Sequence, residues 1–159
     1  MEPKDSVKKA NGFKAQLPAD WYRFNRVKYF MMTHDGILLN QIAVERKKFS
    51  EKLEFTKRPY SENMTPDELA SIELDNLKSS PALSKLEVLS NTPQKLSGQD
   101  AFKLEYRYVT SEGLIVKGVE LGFVKDKRVY RIIYEAPEQH YFAASKPAFD
   151  RFLQTFEPI

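Results

Sequence analysis

The strongest constraint on the architecture of this chain lies between Phe102 and Glu135, where side-chain polarity alternates with period two over three successive segments. Phe102, Leu104, Tyr106 and Tyr108 share one face of the first segment, with Lys103, Glu105 and Arg107 on the other. Successive side chains of a strand point to opposite faces, so this spacing predicts a half-covered β-strand. Ile115, Val119, Leu121 and Phe123 continue the pattern in the second segment. The third, Val129–Glu135, is different: Tyr130, Ile132 and Tyr134 lie on one face, and Val129 and Ile133 on the other. A strand apolar on both faces belongs in the middle of a sheet with cover on each side.

Other segments extend the sheet and supply the cover. Leu86–Gln94 reads as a strand that turns at Ser97-Gly98-Gln99-Asp100, and Asp126-Lys127 makes a tight turn later. Phe13-Lys14-Ala15-Gln16-Leu17 alternates and is closed by Pro18. Val27–Thr33 and a long run from Ile37 to about Phe49 read as two strands joined at His34-Asp35-Gly36. Asp-Gly between β-prone runs favours a hairpin, because Gly takes positive φ at little cost, and Thr110-Ser111-Glu112-Gly113 repeats the device.

Two stretches change to helical spacing. Thr65 is placed to cap a helix opening on Pro66, Asp67 and Glu68, with Leu69, Ala70, Leu74 and Leu77 inward and an end before Pro81. Phe149, Phe152, Leu153 and Phe156 form an i, i+3, i+4, i+7 stripe. Pro147 is awkward inside a helix, so the spacing predicts a short turn over 138–144 and a main helix over 146–155 capped near Ser145. The order implies one α+β domain over residues 12–159, an antiparallel sheet with helical cover, behind a polar leader at 1–11.

Several chemistries are excluded or disfavoured. The chain has no Cys, which removes disulfides, thiolate metal sites and Cys nucleophiles. No apolar run approaches the ~20 residues of a membrane-spanning helix, and MEPKDSVKKANG is too polar for a signal peptide. There is no HExxH, no His pair at i, i+4, no acidic calcium loop and no Gly-rich phosphate loop, so no metal or cofactor is expected. Residues 1–60 carry 13 Lys+Arg against 7 Asp+Glu, although the whole chain has a net charge of only +3. That excess is too weak for a nucleic-acid surface, but the run Arg46-Lys47-Lys48 is a candidate contact for a partner.

The candidate site residues are aromatic and imidazole groups. Trp21 either plugs one end of the core or serves as a ligand platform. Tyr106, Tyr108, Tyr130 and Tyr134 could line a groove for an apolar or aromatic ligand, or fill the layer between sheet and helices. His34 beside Asp35 offers a base with an orienting acid, against the simpler reading of a turn. No residue is assigned a catalytic role.

Taken together, GFKAQLPADW, DGILLNQIAVER, TPDELA, GQDAFKLEYRY and the closing RVYRIIYEAP…FDRFLQTFEPI resemble the PsbP/Mog-like α/β/α sandwich. The resemblance implies a central, mostly antiparallel sheet between helices and a non-enzymatic binding role, as in the extrinsic PsbP subunit of photosystem II and the Ran-binding import factor. The chain is also similar to bacterial envelope lipoproteins of this fold. That likeness implies a cell-envelope or periplasmic domain, anchored by an acylated Cys ahead of the leader, that binds an envelope protein or assists assembly. A small-ligand-binding domain built on Trp21 and the tyrosines is the alternative, a hydrolase using His34 and Asp35 ranks last, and a cytoplasmic location is the alternative compartment.

Overall fold

The alternating segments lie side by side in the centre of one sheet. The computed structural model describes residues 6–10, 12–24 and 27–159. Tyr22–Arg23 (β3), Phe30–Thr33 (β4), Gln41–Lys48 (β5), Arg128–Pro137 (β9), Ile115–Lys125 (β8), Gln99–Val109 (β7) and Ser84–Leu96 (β6) form the sheet in that spatial order. Every neighbouring pair is antiparallel. A smaller sheet joins Ser6–Ala10 (β1), Phe13–Leu17 (β2) and Glu157–Pro158 (β10), with β2 in the middle. Ser6–Ala10 therefore forms a strand rather than a loose leader, while residues 1–5 and Asn11 lie outside the described residues.

The helices Pro66–Lys78 (α1) and Tyr141–Thr155 (α2) cover opposite faces of the main sheet. On the α2 side, Phe149 and Phe152 pack with Ile42, Leu121, Ile132 and Tyr134, and β2 adds Phe13 and Ala15. Phe13 stacks on Phe156 at 5.2 Å between ring centroids and meets Phe30 edge-on at 5.1 Å. On the α1 side, Leu69, Ala70 and Ile72 pack with Phe102, Leu104, Tyr106 and Val129. The strand expected to be covered on both faces is β9, and it contributes to both cores.

Turn chemistry sets the connections. Ser97-Gly98 and Asp126-Lys127 both adopt paired positive φ (50° and 77°; 51° and 59°), the two-residue geometry whose twist suits a hairpin. The His34-Asp35-Gly36 turn is longer than expected: β4 stops at Thr33 and β5 starts only at Gln41, so Ile37, Leu38 and Leu39 belong to the connection. Buried Asn40 fastens that connection and keeps those residues out of the sheet.

Thr65 caps α1, its Oγ1 accepting from the Glu68 N–H at 3.2 Å. The buried face of that helix includes Glu73 and Asn76 as well as Leu69, Ala70 and Ile72, whereas Leu74 and Leu77 are only partly covered. α2 runs unbroken from Tyr141 through Pro147 instead of starting near 146. Pro147 and Ala143, whose carbonyl loses the helical donor, both lie on the exposed side of the helix, while Tyr141 and Phe142 hold the first turn on the core. Among the described residues no helix is long and apolar enough to cross a membrane.

Candidate functional site

At the end of the sheet that α1 leaves open, the register sets Tyr106 opposite Gly118 and Gly118 opposite Glu135. Gly118 is required by that row, since a Cβ there would stand 2.4 Å from Tyr106 Cζ. The tyrosine ring lies across the glycine, and its hydroxyl donates to Glu135 Oε2 at 2.6 Å. Tyr108, stacked 6.3 Å from Tyr106, donates to Glu135 Oε1 at 2.5 Å. Burial first, and the Glu135 charge after it, push both hydroxyls above the ordinary tyrosine range, so both remain donors.

A cleft of about 320 Å³ opens beside this carboxylate, walled by Tyr108, Glu135, Leu83 and the 34–40 and 110–114 connections. Ile37, Leu38 and Leu114 stand at its mouth with 37%, 77% and 42% of their surfaces exposed. Glu112 is the other charged group among the described lining residues, and Lys, Arg and His are absent from them. Each oxygen of Glu135 takes one tyrosine donor and has lone-pair capacity left. A carboxylate held in this way, with apolar walls, recognises a hydrogen-bond donor and binds a charged one more strongly than a neutral one.

A second polar cluster is sealed between α1 and the sheet. Arg131 Nη1 donates to Glu45 Oε2 at 2.5 Å and Nη2 to Glu120 Oε1 at 2.6 Å, while Nε lies 2.9 Å from Glu73 Oε2 without hydrogen-bond alignment. The Tyr60 hydroxyl donates to Glu73 Oε1 at 2.7 Å, and Glu120 Oε2 has no partner. Three carboxylates thus share one guanidinium, Glu73 and Glu120 fully buried and Glu45 at the cluster's partly exposed edge. Desolvation outweighs the Arg131 attraction at Glu120, and with repulsion from Glu73 it pushes that carboxyl up to about 7.

The His34 region is electrostatically tied down. Asn40 Oδ1 accepts from Thr33 Oγ1, the His34 N–H and the Asp35 N–H at 2.9, 2.8 and 3.0 Å. Asn40 Nδ2 donates to Asp35 Oδ2 at 2.7 Å and to Ser145 Oγ at 3.0 Å. His34 Nδ1 lies 3.0 Å from Asp35 Oδ1, and Nε2 lies 3.1 Å from Asp20 Oδ2. The Asp35 bond, opposed by partial burial, raises the imidazole above the ordinary histidine value. A hydrolytic triad needs one ring nitrogen on a hydroxyl, but both here face carboxylates and Ser145 is bonded to Asn40. His140 occupies a γ-turn nearby (φ 70°, ψ −59°), the Tyr141 N–H reaching the Gln139 carbonyl at 2.8 Å.

The aromatic residues read as one groove separate onto two faces. Tyr106 and Tyr108 meet at Glu135 on the α1 side. Trp21, Tyr130 and Tyr134 lie buried in the α2-side core, Tyr130 donating to the Gly12 carbonyl and Tyr134 to the Phe142 carbonyl. Strand alternation likewise divides the basic run. Arg46 and Lys48 continue the face of Ile42 and Val44, with Arg46 lying over Gly12, whereas Lys47 points the other way toward Glu45 at 3.9 Å.

Glu73, Glu120, Arg131 and Glu135 are polar groups that the periodicity did not single out. The signal available was β9 itself: if Val129 and Ile133 face a covered side, so must Arg131 between them.

No protein-family model matches the sequence, and no curated protein matches it. Solved structures do match in shape. The cyanobacterial PsbP (CyanoP) of Synechocystis sp. PCC 6803 superposes with a TM-score of 0.65 at 14% identity, covering 100% of this chain and 95% of that one. The Ran-binding protein Mog1p of Saccharomyces cerevisiae gives 0.64 at 10% identity over 99% and 96%. LpqN of Mycobacterium tuberculosis, involved in cell envelope biogenesis, gives 0.63 at 13% identity over 96% and 83%. The chain has the PsbP/Mog-like fold.

Proposed function

We propose that this PsbP/Mog-like domain is a non-catalytic binding module of the cell envelope that docks a protein partner or assists an assembly. The observation that carries the reading is the convergence of exposed Ile37, Leu38 and Leu114 around the cleft beside Glu135. Water-exposed aliphatic side chains from two separate connections gain free energy only when something covers them. The similarity to a Ran-binding protein and to an envelope-biogenesis protein supports a binding role in that compartment. The paired carboxylates on His34 favour binding over hydrolysis. In this reading an acylated Cys ahead of the leader tethers the domain, and mass spectrometry of the mature native N-terminus checks it.

Docking is tested by replacing Leu38 with a photo-crosslinking phenylalanine analogue in intact source cells. A discrete adduct from Leu38, absent when the probe replaces Thr92 on β6 and lost on Leu114→Asp, is expected. The same products from both positions, or none from Leu38, would sink the reading.

A further inference from the structure

We infer that the cleft selects a partner segment by a Lys or Arg side chain seated against Glu135 and flanked by apolar residues. This rests on the docking reading above and names its partner by chemistry. Three observations converge on it.

Charge comes first. The described lining residues include Glu112 and Glu135 and no cationic group, so the cleft carries negative charge that nothing in its own wall offsets. A cation entering it gains attraction in surroundings of lower dielectric than water.

Preorganisation comes second. The tyrosine hydroxyls that hold both oxygens of Glu135 fix the carboxylate before anything binds, and Gly118 is the empty position that lets Tyr106 reach it. A fixed acceptor saves the ordering entropy that a loose glutamate would lose on binding.

Shape comes third. About 320 Å³ is at the small end for a ligand pocket and suits one long side chain. The apolar surface continues beyond the cleft onto Leu38, which is 77% exposed. A free amphiphilic cation would leave that rim uncovered. The neighbours of a Lys or Arg within a peptide would cover it.

The test uses three capped peptides, acetyl-Leu-Lys-Leu-amide and its analogues with norleucine or Glu at the centre, together with n-hexylammonium chloride. Binding to the ¹⁵N-labelled chain is followed through the amide shifts of Gln41, Leu114, Val116 and Ala136. The Lys peptide is expected to bind saturably at the cleft, at least tenfold tighter than the norleucine peptide, with the Glu peptide weakest. Glu135→Gln, which keeps an acceptor and a donor for the two tyrosines, is expected to abolish that preference. Equal binding of the Lys and norleucine peptides, or a preference that survives Glu135→Gln, would overturn the cation requirement. Hexylammonium binding as tightly as the Lys peptide would overturn the peptide in favour of a free amphiphile. The peptide ranking is read on the unsubstituted chain, so it decides the matter even if the variant does not fold. Failure of the Leu38 crosslink is a separate result that removes the docking surface whatever the peptides do.

Discussion

At the scale of single residues, the site depends on a side chain that is missing. Gly118 has no Cβ, and only for that reason does the Tyr106 ring cross β8 to reach Glu135. Gly122 stands in the same relation to Phe102, where a Cβ would approach the ring to 2.4 Å. Glycines in strand interiors mark close approach by a neighbour, and here the neighbours are aromatic rings. Gly118→Ala is therefore expected to cost ~1–3 kcal/mol by overpacking and to break the Tyr106–Glu135 bond. Urea denaturation measures the first effect, and the hydroxyl-proton or ring resonances of Tyr106 report the second. Unchanged stability with an unmoved ring would refute the account. The Gly118-Val-Glu-Leu-Gly122 spacing is visible in the sequence, and glycines inside a strand point to close packing or a bulge. Which rings come close was not visible, because that depends on the pairing of β7 with β8.

At the scale of elements, α1 is held to the sheet by apolar burial and by the charged cluster around Arg131. Glu73 from α1, Glu45 from β5, Glu120 from β8 and Tyr60 from the 50–64 connection all face Arg131 or one another. Glu120 is fully buried and its carboxyl is raised from 4.5 to about 7, so between those values the folded state holds a proton that the unfolded chain has released. Stability from this group is complete below about pH 4.5 and is lost as pH rises through about 7. The steepest loss attributable to one such group is ~1.4 kcal/mol per pH unit. Glu120→Gln should remove that component, so the variant's stability relative to the parent should rise between pH 5 and pH 8. Urea midpoints at the two pH values test it, and a difference that stays constant with pH would sink the idea. Helix existence and capping were legible from Thr65 and Pro66. The polar content of the buried face was not, because Glu73 and Asn76 read as solvent positions until the 50–64 connection brings the Tyr60 hydroxyl and the Phe55 N–H to them and β9 brings Arg131 to Glu73.

At the scale of the whole molecule, β1 and β10 flank β2 in the smaller sheet, and Phe156 ties that sheet to the α2-side core. Its ring stacks on Phe13 and presents an edge toward Phe123 and Tyr130. Phe156→Ala is expected to cost ~3–5 kcal/mol and to loosen the smaller sheet, since it opens a cavity where that sheet meets the α2-side core. Trp21 belongs to the same cluster, so its emission gives the unfolding curve, and a loss below about 1 kcal/mol would contradict the shared-core account. What the sequence determined by itself is the set of elements. Period-two runs, Asp-Gly and Ser-Gly turns, the Thr65 cap and the C-terminal phenylalanine stripe are local signals, because they arise from backbone geometry within a few residues. They were enough for an antiparallel sheet between helices. What only the tertiary structure decided is which faces coincide. Parity along β7 unites Tyr106 with Tyr108, and parity along β9 unites Tyr130 with Tyr134. Neither says whether the two pairs share a side. The register Tyr106–Gly118–Glu135 settles that, placing the first pair with Glu135 and the second on the opposite face. A one-residue slip would have exchanged them, because side chains alternate with period two and register is fixed by pairing across the sheet rather than by sequence along a strand.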